Sequence, residues 1–149
     1  ELPFWEGTWI GITDNKKYTF QFEILYQQMK RYYSNQYYDY EDLIVGKFKV
    51  EDMTSNQIIY NDLNLINFED CKITGASIRG DMFHFLYIDT IENCSNSVWF
   101  ILSKNNDNQI TYSSFEFGDF LYDYDDINCQ NQLNIPMHLP TNDFILTKQ

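Results

Sequence analysis

The stretch Tyr18-Thr19-Phe20-Gln21-Phe22-Glu23-Ile24 decides the fold class. In an extended chain Tyr18, Phe20, Phe22 and Ile24 share one face, and Thr19, Gln21 and Glu23 share the other. A period of two marks a strand with one dry side and one wet side. The pattern returns over residues 43–53, where Ile44, Gly46, Phe48 and Val50 face one way and Lys47, Lys49 and Glu51 the other. The expectation is that Trp9, Phe20, Phe22, Phe48 and Val50 are core, while Glu23, Lys47 and Lys49 meet water.

Upstream, residues 5–12 read as an opening strand, with Gly7 and Gly11 marking close approaches. Asp14-Asn15-Lys16 is a turn. Downstream of Ile24 the alternation dissolves, and residues 27–33 read as a short helix followed by a long connection to Asp42. Residues 58–60 are a short partner strand, and residues 61–70 give no clear pattern. Residues 72–79 and 82–89 form a hairpin around Gly80-Asp81. Residues 97–103 and 109–117 form another around Asn105-Asn106-Asp107-Asn108. Residues 118–140 read as loop, and 144–147 as a last short strand. Eight or nine strands with at most one short helix make an all-β chain. The expected architecture is a single antiparallel, up-and-down β-barrel of about eight strands, spanning residues 1–149 as one domain.

Composition narrows the partners. The 12 Tyr, 12 Phe and 3 Trp favour pleated, half-buried surfaces. A net charge of −12 repels phosphate backbones and anionic lipid, which argues against nucleic acid as a partner. No apolar run approaches the ~20 residues of a transmembrane helix. Cys71, Cys94 and Cys129 have no C-x-x-C spacing, so a zinc or thioredoxin-like site is not expected.

Two stretches carry a resemblance. Phe4-Trp5-Glu6-Gly7-Thr8-Trp9 contains a G-x-W on the opening strand and resembles lipocalin-like (calycin) barrels. In those, the glycine lets the strand bend and the tryptophan plugs the closed end. Asp42-Leu43-Ile44-Val45-Gly46-Lys47-Phe48, with the ending from Leu139-Pro140-Thr141 to Leu146-Thr147-Lys148-Gln149, resembles an uncharacterised family of small exported bacterial proteins. Those proteins carry G-T-W near the mature N-terminus and L-T-K at the end. The resemblance implies a lipocalin-like shape, lipoprotein-like export to the periplasm or cell envelope after loss of a signal segment, and no particular activity. Export would permit one disulfide among the three cysteines, with Cys94–Cys129 the favoured pair and one thiol left over.

The expected ligand-binding residues are Phe20, Phe22, Phe48, His84, Phe100 and Tyr112, with Trp9 as the floor and residues 27–42 as a flap. No catalytic residue, cofactor or metal is expected. His84, within Met82-Phe83-His84-Phe85-Leu86-Tyr87, reads either as a ligand contact or as a histidine on the rim. His138 has less support, and two distant histidines make a poor metal site. Asp119, Asp123, Asp125 and Asp126 read as a solvated loop before a Ca²⁺ site, since the EF-hand order is absent. Tyr32, Tyr33, Tyr37, Tyr38 and Tyr40 suit either a sugar-stacking surface or a flap. Arg79-Gly80-Asp81 spells an integrin-type tripeptide, yet Gly-Asp is what a hairpin turn needs. Glu23, Glu51, Glu69 and Glu116 give no readable glycosidase pair. The leading expectation is a non-enzymatic exported domain holding a small apolar or aromatic ligand. The alternative is an envelope interaction or structural module whose barrel is filled by side chains.

Overall fold

A computed structural model describes residues 2–32, 37–91, 94–117 and 138–149. Its strands are β1 (Gly7–Thr13), β2 (Lys16–Tyr32), β3 (Tyr37–Asp52), β4 (Ile58–Asn61) and β5 (Ile73–Arg79). They continue as β6 (Met82–Ile91), β7 (Cys94–Asn106), β8 (Gln109–Phe117) and β9 (Phe144–Lys148). Among the described residues the only helical pieces are 3-10 turns at Leu2–Phe4 and Phe68–Asp70. The fold is therefore all-β.

Every pairing is antiparallel, and the order β1-β2-β3-β5-β6-β7-β8-β9 returns to β1. That closed ring of eight is an up-and-down barrel, with β4 as an extra strand laid along β3. Closure removes most of the open sheet edges that would otherwise invite aggregation. Turn chemistry matches the sequence reading. Asp14 and Asn15, between β1 and β2, both have positive φ, as a type I′ hairpin turn needs. Gly80 has φ +60° between Arg79 and Met82, so Gly80-Asp81 of the Arg79-Gly80-Asp81 tripeptide form a two-residue hairpin turn.

Two elements depart from expectation. Residues 27–32 are not a short helix but continue β2, and residues 37–42 are not a connection but begin β3, the two pairing from Gln28–Glu41 to Tyr32–Tyr37. Partner-strand hydrogen bonds override the local pattern here. The register slips between Leu25 and Gln28 at a bulge, where Gln27 takes φ +53° and its N–H donates to Asp42 Oδ1 at 3.0 Å. The result is a two-stranded ribbon running past the barrel rim, with Tyr26, Met29 and Tyr40 more than half exposed.

The core follows the period-two reading. Trp9, Phe20, Phe22, Phe48 and Val50 are buried, and Glu23 is exposed. Thr19, expected on the wet face, is also buried, between its cross-strand neighbours Ile10 and Lys49. Lys47 and Lys49, expected in water, are half-buried instead. Lys47 Nζ donates to Leu65 O at 2.5 Å, so the chain after β4 lies over that face of β3. Lys49 Nζ sits 3.1 Å from Glu51 Oε2.

Candidate functional site

The barrel interior is a stack of aromatic rings. Phe20 packs on Phe22, Phe48, Phe100 and Tyr112, with centroids 5.6–6.4 Å apart. Phe85 bridges Phe22 at 4.9 Å and Phe100 at 5.2 Å, and Tyr112 continues the stack to Phe144 at 5.3 Å. These separations suit favourable aromatic pairs, each worth roughly 0.5–1.5 kcal/mol beyond its area burial. The structure thus brings Phe20, Phe22, Phe48, Phe100 and Tyr112 together in one aromatic stack.

Both ends of the stack are covered. At one, Trp9 is completely buried beneath the Leu2–Phe4 turn, and its Nε1–H donates to Trp5 O at 2.9 Å. Gly7 takes φ +115°, a conformation L side chains rarely adopt, as β1 enters the barrel two residues earlier. Lys148 Nζ lies 5.2 Å from the Trp9 ring and donates to Phe4 O at 2.7 Å. At the other end Leu139 joins the core, and Tyr112 Oη donates to Pro140 O at 3.0 Å. Burial pushes the Tyr112 hydroxyl far above its ordinary pKa, with Tyr18 and Asp143 adding to the shift, so it remains a neutral donor.

His84 does not line the interior. β6 sends Phe83, Phe85 and Tyr87 inward, so the strand's period puts His84 on the outer face, opposite Ser77 and Ile101. Its Nε2 is buried and has no hydrogen-bond partner among the described residues. The flap expected over residues 27–42 is the ribbon of β2 and β3, apart from residues 33–36, which lie outside the described residues. The acidic run Asp119, Asp123, Asp125 and Asp126 and the Cys94–Cys129 pairing also lie outside them, as does Tyr33. Cys71 is a free thiol, and burial raises its pKa. Among the described residues no three His, Cys, Asp or Glu side chains converge on a metal position.

A polar cluster that the sequence left unread surrounds Asp62. Its N–H donates to Phe48 O at 3.1 Å, and its Oδ1 accepts Phe48 N–H at 2.6 Å. Phe48 lies where the outer edge of β3 passes from β4 to β5, so Asp62 satisfies backbone groups that neither strand reaches. Tyr60 Oη donates to Asp62 Oδ2 at 3.1 Å, Lys72 Nζ sits 5.2 Å from the Tyr60 ring, and His138 stacks on that ring at 4.8 Å. Burial raises the Asp62 pKa, although the two hydrogen bonds and Lys72 pull it down. The arrangement is a structural clamp on the outer edge of β3.

Among the described residues the barrel wall is thinly paired between β3 and β5. β3 and β5 pair through Gly46–Ile73 and Val45–Thr74, and then part. A Cβ on Gly75 would fall 2.2 Å from Ile44 Cγ2 and 2.6 Å from Phe83 Cζ, so the missing side chain admits Ile44 to the core. The register of β5 on β6 shifts at Ala76, between Gly75 and Ser77. Between the separated strands lies an open groove of about 280 Å³, lined by Leu2, Ile44, Ile78 and Phe83 and by the acidic pair Glu41 and Asp42.

Together these features define a closed, eight-stranded, antiparallel up-and-down barrel of calycin-like shape, with a split wall. Comparison with family models, with curated proteins and with solved structures found no match to this chain.

Proposed function

We propose that this chain is a non-enzymatic interaction module that works outside the cytoplasm, with the filled barrel as a rigid scaffold and the outer surface as its working part. The observation that carries the reading is the aromatic stack. Phe20, Phe48, Phe85, Phe100 and Tyr112 have no solvent exposure and lie in mutual contact. A ligand carrier of the same fold needs these rings to move aside, losing contacts that a close-packed interior does not readily give up. The exported setting is supported by the resemblance around Gly7-Thr8-Trp9 and Leu146-Thr147-Lys148.

Titration of the whole chain with palmitate and with 1-anilinonaphthalene-8-sulfonate, following tryptophan fluorescence, tests the reading. Trp9 and Trp5 lie in or beside the stack and report any entry. The expected result is no saturable change. Saturable binding that quenches the buried tryptophans would replace this reading with the ligand carrier.

A further inference from the structure

We infer that the groove between β3 and β5 is a strand-addition site for an extended segment of a partner protein, one alternating apolar and basic side chains. The inference rests on the interaction-module reading and gives it a place and a partner chemistry. A strand paired along one edge presents the N–H and C=O of every second residue on the other. Beyond Val45–Thr74, Asp42–Ile44 of β3 have β2 on one side only, and Ala76–Ile78 of β5 have only β6. Among the described residues no strand lies against either edge there. One added strand can pair with the free edge of β5 or with that of β3 at the usual 4.7–4.9 Å spacing.

The lining sets which side chains the insert carries. Successive residues of an extended peptide point to opposite faces, so alternate side chains can meet the apolar surface of Leu2 and Ile78. Among the described residues Glu41 and Asp42 are the only charged ones in the lining, and the chain carries a net charge of −12. That field attracts a cationic segment and repels a second copy of the same chain. A small apolar molecule would leave the strand edges unmatched.

The test uses the whole chain, ¹⁵N-labelled, with an alternating Lys-Val peptide of about ten residues. The expected result is saturable shifts of the amides of residues 42–44 and 76–78. N-methylating every second peptide residue keeps charge and side chains but removes donors along one edge. It should weaken binding by about tenfold or more, as should exchanging Lys for Glu. Ala76→Trp places an indole in the groove and abolishes the shifts, with circular dichroism reporting the fold. Should that variant misfold, Ser77→Lys sets a cation at an exposed position in the lining and weakens the Lys-Val peptide instead. Indifference to N-methylation, shifts centred elsewhere, absence of saturation, or self-association in sedimentation would each overturn the site. Failure of the peptide beside a barrel silent to palmitate removes this groove alone; a barrel that takes palmitate removes the broader reading.

Discussion

The seam between β6 and β7 and the seam between β3 and β5 both hold the barrel together, by different means. β6 and β7 pair without a break from Met82–Ser103 to Ile91–Cys94. Phe83, Phe85, Phe100 and Leu102 stand behind that ladder in the core. β3 and β5 pair at two positions and separate. At the second seam Asp62 satisfies the Phe48 backbone on the β4 side of the two pairs, and Ile44 against Gly75 gives contact across the gap on the other side. A barrel can thus be closed by its interior packing even where its hydrogen-bonded wall is open.

The strongest way to break this contrast is to cut the stack. Phe100→Ala should cost about 3–5 kcal/mol in urea unfolding, because the rings around it cannot collapse into the space. Ile78→Ala, at the open seam with more than a third of its surface exposed, should cost about 1 kcal/mol. Equal losses would mean that the seam is as tightly sealed as the stack.

Asp62→Ala should cost about 1–3 kcal/mol, since it leaves the Phe48 N–H without its acceptor. Asp62→Asn sharpens the point through pH. Burial raises the Asp62 pKa above its ordinary 3.8. The folded chain therefore holds this proton where the unfolded chain has released it. The contribution is complete below that ordinary value and is lost as pH rises through the raised one. Melting temperatures across this range should show the wild type losing stability relative to Asp62→Asn as pH increases; a constant gap would deny the burial effect.

The smallest effect is expected at His84→Leu on the continuous seam. Removing a buried Nε2 that has no described partner should leave stability unchanged or raise it by about 1 kcal/mol. A loss above that would reveal a polar role for this histidine.

These contrasts also explain what the sequence could tell. Phe20, Phe22 and Phe48 were legible because each sits in a run whose polar neighbours fall on the opposite face. His84 was not, because Met82, Leu86 and Ile88 make the outer face of β6 apolar too, and only β6's packing against its neighbours separates the faces. The ribbon residues 26–29 and 39–42 gave no periodic signal because none of their side chains is buried, so there is no dry side to advertise. The groove left no motif at all. It arises from where two distant strands part company, and Gly75, its one local sign, also reads as an ordinary strand glycine.

β9 pairs with β1 at Trp9–Lys148 and Ile10–Thr147, and 144 positions separate Lys148 from the Phe4 carbonyl it holds. A chain emerging from the ribosome therefore cannot complete the ring until residue 148 is free. Until then β1 and β8 both wait with raw edges, so the slow step of assembly and the period of greatest exposure to proteases and self-association coincide.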